Sequence, residues 1–297
     1  MLTNSEITDL TDFRRLLHRH PEVSGQERET AARVAEKLRR IGAHRVVTDL
    51  GGHGVAAIFE GAEPGPTVML RAELDALPIE ETGEVDHAST IPGRAHMCGH
   101  DGHSAALLGC ACAFARQPPQ RGRVVLMFQP AEEDGSGAAA VIADPRFADL
   151  RPDVAFSWHN MPGIPLGHAR LREGPMFCAS VGLRLVLKGR TAHASQPETG
   201  ISPAQTLADL IRDLAALGPG GAMDEEFALV TITYARLGEP SYGIAAGRAE
   251  LQATLRALMP ERMERLRTDA EALARRAKHL TTTAKIPHPY EFVHDEV

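Results

Sequence analysis

A segment of eight residues in the first half of the chain concentrates side chains that bind metal ions. Residues 96–103 read HMCGHDGH and supply three histidines, one cysteine and one aspartate. Thiolate and imidazole groups are good ligands for zinc and similar divalent ions. Gly99 and Gly102 allow the backbone to turn tightly, so that alternate side chains can converge on one point. A polar turn with one buried cysteine is the simpler alternative, but the density of ligands favours a metal site.

Carboxylates and another histidine follow two predicted strands elsewhere in the sequence. Glu132 and Glu133 follow the apolar segment RVVLMFQ, and His159 follows the apolar segment of residues 154–158. In open α/β sheets, ligands bind beyond the carboxyl ends of the strands. Of two adjacent glutamates, one can bind a metal while the other transfers a proton. Each pattern alone is more typical of a solvated loop, but the three clusters together indicate a hydrolytic metal site.

Other polar residues are candidates for supporting roles around such a site. Asp75 follows the predicted strand of residues 67–71 and could orient a ligand histidine through a hydrogen bond. Glu73 could do the same or only contact solvent. His193, in the segment GRTAHAS, is by itself typical of a surface residue, and His18 is interpreted as having no role in the site.

A sheet covered by helices is predicted to position these clusters. Helical spacing of apolar residues, with a capping box formed by Ser24 and Glu27, predicts helices at residues 5–19, 24–41 and 104–115. Short apolar runs bounded by glycine and proline predict buried strands at residues 54–59, 67–71, 123–129 and 154–158. The alternation of helices and buried strands predicts the α/β class, with a mainly parallel sheet covered on both faces.

A second unit with a different order of elements begins near residue 178. Its apolar patterns predict the order strand, helix, strand, strand, helix, strand, which is typical of a ferredoxin-like sandwich. A connection rich in glycine and proline at residues 163–175 marks the boundary. We therefore predict a metal-binding domain in residues 1–177 and a second domain in residues 178–286.

The composition argues against several other functional classes. The formal net charge is −7 and no run of lysine and arginine stands out, which argues against nucleic acid as a partner. Aromatic residues make up 4% of the chain, too few for a platform on which bases stack. No apolar run approaches the ~20 residues that span a bilayer, and the N-terminus lacks the features of a signal peptide. A cytoplasmic protein without a membrane partner is therefore expected.

These motifs resemble those of one family of metal-dependent enzymes. The family comprises amidohydrolases of the hippurate hydrolase and indole-acetyl-amino-acid hydrolase type, which are related to aminoacylase and carboxypeptidase G. From residue 17 to about residue 260, the matching segments are LLHRHPEVSGQE, MLRAELDALPI, HMCGHDGHSA, FQPAEE, WHNMPGIPLG, GPMFCAS and ATLRALMPE. The pair formed by MCGHDGH and QPAEE is highly specific for this family.

The resemblance implies a dinuclear hydrolase that acts on hippurate-like or N-acetyl amino acids. The two implied cofactors are divalent ions (Zn, Mn, Co or Ni), and their implied ligands are Cys98, His100, Glu133 and His159. Glu132 would be the general base and acid, with Asp75 orienting a ligand. The second domain would be an inserted lid that forms a homodimer, so that His193 stabilises the oxyanion in a neighbouring site. Arg256 would face the carboxylate of the substrate.

Departures from the family pattern leave alternatives open. Relatives return from the lid to the catalytic domain, where a late histidine supplies the last metal ligand, but this chain stops at Val297 without that motif. Residues 287–297 would only begin that return, and His294 is a poor match to the missing ligand. Glu198 and Gly243 stand where relatives commonly have histidine and asparagine. We therefore expect a truncated chain, which is an active enzyme, a weakly active relic, or a protein that binds metal or acyl amino acid without turnover.

Overall fold

A computed structural model describes most of the 297 residues of the chain. The described residues are 1–171, 173–275 and 281–285. The chain folds as two compact units, Met1–Ile164 and Pro165–Val297. The sequence-based boundary lies further along the chain, after residue 177, and remains a prediction.

The N-terminal unit combines four α-helices with five strands. The helices are α1 (Asn4–Arg19), α2 (Arg28–Ile41), α3 (His100–Arg116) and α4 (Gly137–Ala143). The strands are β1 (Arg45–Leu50), β2 (Gly54–Glu60), β3 (Glu63–Glu73), β4 (Arg121–Gln129) and β5 (Val154–Ser157). They form one sheet in the order β1-β2-β4-β3-β5. The predicted α/β class is confirmed.

The sheet is mixed, and the predicted parallel arrangement holds only for β3, β4 and β5. β3 pairs in parallel with both β4 and β5, whereas β2 is antiparallel to β1 and to β4. β1 is absent from the sequence-based prediction, because three of its six residues are polar and five of the six are exposed or half-buried. Only three residues separate β1 from β2. Such a short connection can join antiparallel strands but not parallel ones.

Helices cover both faces of this sheet, as the sequence predicts. Alternate side chains of β4 point to opposite faces, since successive residues of a strand alternate. One face packs against α1, α2 and α3 through a core that includes Leu17, Val34, Leu38, Phe59, Leu107, Leu126 and Phe128. The other face packs against α4 through a smaller core that includes Leu50, Ile58, Met69, Val125, Met127 and Val141. β2 is buried on both faces, which explains its uninterrupted apolar sequence.

The ends of the parallel strands meet at one edge of the sheet. β3 and β4 end side by side, with Glu73 opposite Gln129. Helix α3 begins at His100, four residues before the predicted start, because Gly99 adopts the left-handed conformation (φ 97°) that turns the chain into the helix. His100 and His103 therefore lie in the first helical turn, three positions apart and on the same side. Residues 100–103 of the candidate segment are therefore part of the helix, and residues 96–99 precede it.

The C-terminal unit has the order of elements that the sequence predicts. Its described elements are β6 (Ala179–Lys188), β7 (Ala192–His193), α5 (Ala204–Leu217), β8 (Ala228–Leu237), β9 (Ile244–Ala245), β10 (Arg248–Ala257), α6 (Pro260–Arg275) and β11 (Thr281–Lys285). Four strands form an antiparallel sheet in the order β11-β6-β10-β8, and α5 and α6 pack on it. β7 and β9 form a separate short pair that was not predicted. The roles of this unit as lid and dimer interface stay predictions, and the predicted return in residues 287–297, with His294, lies outside the described residues.

Helices α1 and α6, one from each unit, are amphipathic. In α1 the buried apolar residues are Leu10, Phe13 and Leu17, and in α6 they include Met263, Leu266 and Ala270. This spacing of three or four residues places one apolar stripe against a core. Across the described ranges, no helix combines the length and the apolar character that crossing a membrane requires.

Glu6 in the first turn of α1 makes a pH-dependent contribution to stability. Its pKa is lowered from 4.5 to about 2 by hydrogen bonds from Arg116 and from the backbone of Thr3. A carboxyl group whose pKa is lower in the folded state stabilises the fold above its unfolded pKa, and protonation removes this contribution. We expect Glu6→Gln to reduce the free energy of unfolding at neutral pH, with a deficit that shrinks between about pH 4.5 and 2. Urea unfolding at several pH values measures it, and a deficit independent of pH would contradict the assignment.

Candidate metal centre

His100 lies at the centre of the predicted site and is 1% exposed. Its Nδ1 is 2.8 Å from the backbone oxygen of Asp75, so this nitrogen carries the proton and donates it to the carbonyl. In the neutral ring the lone pair is therefore on Nε2, which lies 3.8 Å from Glu132 Oε2 and 3.8 Å from Glu133 Oε1. The ring thus presents a metal-binding nitrogen to both glutamates.

Cys98 and His159 come together on another side of His100. The Cys98 Sγ lies 3.2 Å from His159 Nε2. His159 Nδ1 lies 2.8 Å from the backbone oxygen of Asn160 and donates its proton there, which leaves Nε2 as the atom with the lone pair. Possible ligand atoms of Cys98, His100 and His159 all lie within 4.8 Å of one another, as do those of His100, Glu132 and Glu133. The two groups share His100.

The chemistry of these atoms fits a divalent metal ion. Within the described part of the chain, His100 Nε2 and Glu133 Oε1 are buried and have no hydrogen-bond partner. Buried polar atoms are nearly always paired, and leaving one unpaired costs about 1–3 kcal/mol. A cation bound by thiolate, imidazole and carboxylate groups would satisfy them together.

The electrostatics of the site favour a positive ion. Burial, together with the charges of Glu133 and Glu132, raises the pKa of the Cys98 thiol to about 12. Burial raises the pKa of Glu132 as well, and the neighbouring Glu133 adds to that shift. For His100, burial alone would lower the pKa, but the hydrogen bond to Asp75 and nearby carboxylates raise it to about 9. Nearby carboxylates contribute to all three pKa shifts, because the site holds excess negative charge and is partly shielded from water. A bound cation would neutralise part of that charge.

Two buried carboxylates fix the turn that carries Glu132 and Glu133. Glu27 Oε1 accepts a hydrogen bond of 2.7 Å from the backbone of Ala131, whose φ of 46° is in the left-handed region. Asp75 Oδ2 accepts a hydrogen bond of 2.9 Å from the backbone of Glu133. The backbone that carries Glu132 and Glu133 is therefore held by Glu27, just before α2, and by Asp75, just after β3.

The capping box predicted for Ser24 and Glu27 is wrong. Ser24 Oγ donates a hydrogen bond of 2.7 Å to Asp75 Oδ2, and Glu27 binds the distant turn described above. Glu22 takes the capping role instead, since its carboxylate accepts hydrogen bonds from the backbone of the first turn of α2. Both predicted cap residues thus support the candidate site rather than the helix.

The structure brings together six of the eight predicted site residues. Cys98, His100, Glu132, Glu133, His159 and Asp75 converge in the N-terminal unit, with Asp75 against His100 as predicted. The other two, His193 and Arg256, belong to the C-terminal unit. His193 lies in β7 opposite Ile244, and Arg256 is exposed on β10.

The tautomer of His193 follows from its contacts with Ser195. The backbone N–H of Ser195 donates to His193 Nδ1 over 3.2 Å, and Ser195 Oγ lies 2.8 Å from the same nitrogen. A backbone N–H can only donate, so Nδ1 holds the lone pair. The neutral ring therefore carries its proton on Nε2, where it is available to a hydrogen-bond acceptor.

A buried polar cluster that the sequence-based predictions do not include lies behind the segment of residues 96–103. His18, predicted to have no role in the site, is 4% exposed, with Nδ1 2.8 Å from Asp101 Oδ2 and Nε2 3.2 Å from Glu81 Oε1. Arg14 Nε lies 2.7 Å from the same oxygen of Asp101. The available signal was the spacing of Arg14 and His18, four positions apart beside the buried Leu17. These contacts fasten α1 to the first turn of α3.

Most of the chain matches one known protein family. A family model described as peptidase family M20/M25/M40 matches residues 69–292, which contain all eight predicted site residues. This chain belongs to that family. The predicted resemblance to metal-dependent amidohydrolases is thereby confirmed.

Relatives within the M20/M25/M40 family include deacetylases of acylated amino acids. An N-acetylcysteine deacetylase of Bacillus subtilis is 33% identical over 274 residues, which cover 90% of this chain and 71% of the relative. An N-acetyl-L-cysteine deacetylase of the same organism is 38% identical over 75% of this chain and 53% of its own length. An IAA-amino acid hydrolase of Arabidopsis thaliana is 32% identical over 87% of this chain and 58% of its own length. The chain thus spans between about half and about seven tenths of these relatives.

Solved structures of similar proteins share the fold. A Bacillus subtilis protein described as a dinuclear metal-binding peptidase of the M20 family is 30% identical, with a TM-score of 0.73. The match covers 96% of this chain and 74% of that protein. A Staphylococcus aureus protein described as an aminohydrolase is 26% identical, with a TM-score of 0.80, and is covered over 78% of its length.

Proposed function

We propose that this protein hydrolyses the amide bond of N-acyl amino acids, of the N-acetyl or hippurate-like kind. The observation that carries the proposal is the convergence of two groups of ligand atoms on the buried His100. The deacetylases and the hydrolase among the relatives support amide hydrolysis as the reaction.

The proposed cofactors are two divalent metal ions held by the residues around His100. The proposed ligands are Cys98, His100, Glu133 and His159, and Asp75 fixes the proton on the far side of the His100 ring. When bound, such ions lower the pKa of a coordinated water from 15.7 to roughly 7 and polarise the carbonyl of the substrate. The dinuclear peptidase among the similar structures supports the number of ions.

Glu132 is the proposed general base and acid. Its carboxylate lies next to Glu133 at the mouth of the site, and its side chain is 39% exposed, so it can reach a water molecule and a substrate. As a base, it takes the proton of the attacking water. As an acid, it returns that proton to the amine nitrogen as the amide bond breaks, so that the carboxylate is regenerated.

Two residues of the C-terminal unit are proposed to contact the substrate. In a homodimer formed through this unit, His193 would donate the Nε2 proton to the oxyanion of the tetrahedral intermediate in a neighbouring site. The exposed guanidinium of Arg256 would bind the carboxylate of the amino acid. This unit would then act as the lid of the site.

Replacing His193 should weaken stabilisation of the transition state. We expect His193→Ala to lower kcat about 10²–10³-fold, as removal of one oxyanion donor does, with a smaller change in KM. Steady-state kinetics with an N-acyl amino acid measures both parameters. His168→Ala is the matched control, because His168 is another exposed histidine of the same unit. Unchanged kcat in His193→Ala would remove this residue from the mechanism.

A substrate screen tests the proposed function directly. The purified chain, loaded with manganese or zinc, is incubated with a panel of N-acetyl and N-benzoyl amino acids, and the released amine is quantified. Release that depends on metal and is abolished by Glu132→Gln would support the proposal. Tight metal binding without hydrolysis of any member would favour a binding protein without turnover and would overturn the proposal.

A further inference from the structure

A chain of hydrogen bonds runs from the end of β3 to His159. Glu73 Oε2 lies 2.7 Å from His103 Nδ1, and His103 Nε2 lies 2.7 Å from Asn160 Oδ1. The backbone oxygen of Asn160 in turn accepts the Nδ1 proton of His159 over 2.8 Å. Three residues that are not among the eight predicted site residues thus lead to a proposed metal ligand.

Glu73, the first residue of this hydrogen-bonded series, is a buried carboxylate. Glu73 is 1% exposed, and burial alone would raise its pKa. The hydrogen bond from His103 and the charge of Arg71 outweigh burial and lower the pKa of Glu73 below its usual value. Arg71 is itself held by Gln129, since its Nε donates to Gln129 Oε1 over 2.8 Å. Glu73 is therefore an ionised, immobile acceptor at the end of the parallel strands.

His103 links Glu73 to the loop that follows β5. Ser104 Oγ donates to the backbone oxygen of Glu73 over 2.7 Å, which ties the first turn of α3 to β3. His103 Nε2 lies 2.7 Å from the side-chain oxygen of Asn160 and 3.1 Å from its backbone nitrogen. Donation from Nε2 to the side-chain oxygen, the shorter of the two contacts, holds the side chain of Asn160 in place.

The strand before His159 gives it little support, although the adjacent Trp158 packs against the core. His159 lies two positions after β5, an edge strand whose four residues are all exposed. Metal ligands need to be held within about 0.5 Å of a productive position. Asn160 also touches the Cys98 loop, because a Cβ added to Gly99 would lie 2.5 Å from Asn160 Oδ1. Asn160 is thus placed to fix His159 relative to Cys98.

We propose that Glu73, His103 and Asn160 are positioning residues that set the orientation and tautomer of His159 for metal binding. This inference rests on the proposed function only in taking His159 as a ligand. Ligand atoms of Glu73, His100 and His103 also lie within 4.8 Å of one another. Glu73 and His103 already bond to each other, however, so they support the centre rather than form a second one.

The test measures metal affinity rather than activity. Asn160 is exposed, so Asn160→Ala removes the side-chain link without disturbing the core. We expect cobalt(II) affinity, followed by the thiolate-to-cobalt absorption band, to fall about 10–100-fold, as for other residues that support a ligand. Asn160→Asp keeps the acceptor oxygen and should recover most of this loss. Asn4→Ala, at the other asparagine of the chain, is the matched control and should have no effect.

A double-mutant cycle with His159→Ala tests whether the network acts through His159. If it does, Asn160→Ala should cause no further loss of affinity once His159 has been removed, so the two effects should not add. Additive effects, or an unchanged affinity in Asn160→Ala while His159→Ala binds weakly, would overturn the network and leave the metal centre standing. Unchanged affinity in His159→Ala would overturn His159 as a ligand, and with it both the proposed centre and the network.

Discussion

Glu132→Gln is expected to bind metal as the unmodified protein does and to turn over substrate about 10²–10⁴-fold more slowly. Glutamine has nearly the shape of glutamate and can hold a water molecule near the carbonyl carbon. It cannot take a proton from that water or return one to the departing amine. Because Glu133 is retained and keeps its hydrogen bond to Asp75, the geometry of the proposed ligands should not change.

Paired measurements separate loss of chemistry from loss of the site. The metal content of each purified protein is determined by elemental analysis, and kcat is measured on the best substrate of the screen. Asp134→Asn is the matched control, since Asp134 follows directly in the sequence but bonds only locally, to Ser136. A Glu132→Gln protein that retains full turnover would refute the assignment of the general base. Loss of both metal and turnover would make Glu132 a ligand instead.

The candidate site was predictable because its signals are local. The proposed ligands Glu133 and His159 each follow a strand whose apolar run identifies it, and parallel strand ends meet at one edge of a sheet. Cys98 and His100 come instead from the ligand-rich segment at the start of α3. These side chains converge although they are far apart in the sequence, and the antiparallel orientation of β2 has no effect at this edge.

The supporting contacts were not predictable in the same way. Ser24 and Glu27 have the spacing of a capping box, and a local motif was the economical interpretation of them. Their actual partners, Asp75 and Ala131, lie 51 and 104 residues away. His18 likewise pairs with Asp101 across 83 residues. No periodicity in one sequence encodes such pairs, because they depend on how α1 and α2 pack against the sheet.

The start of α3 shows how a single glycine can shift a site. The sequence predicts a turn at the glycines of residues 96–103 and a helix only from Ser104. Gly99 alone makes the turn, with φ 97°, and Gly102 lies inside the helix. The proposed ligand His100 consequently takes its direction from the helix rather than from a loop. This arrangement also places His103 where it can bridge Glu73 and Asn160.

Metal binding is expected to stabilise the N-terminal unit strongly, and Glu133→Ala should remove most of this effect. A ligand present at a hundred times its dissociation constant raises the free energy of unfolding by about 2.7 kcal/mol. Glu133 Oε1 is buried without a partner among the described residues, and this costs free energy that a bound cation would recover. The alanine variant lacks both that cost and the ligand. Its melting temperature should therefore respond little to added zinc or manganese.

The count of bound ions decides between the remaining interpretations of the centre. Elemental analysis after loading should give two ions per chain for the unmodified protein and fewer for Glu133→Ala, with Asp134→Ala as the control. Two ions in both proteins would mean that Glu133 is not a ligand. One ion in the unmodified protein would mean that the residues around His100 form one metal site. The two groups that share His100 would then be alternative sets of ligands for that ion. Hydrolysis by a dinuclear mechanism would then be ruled out for the chain as it stands, whereas two ions would make the substrate screen the decisive experiment.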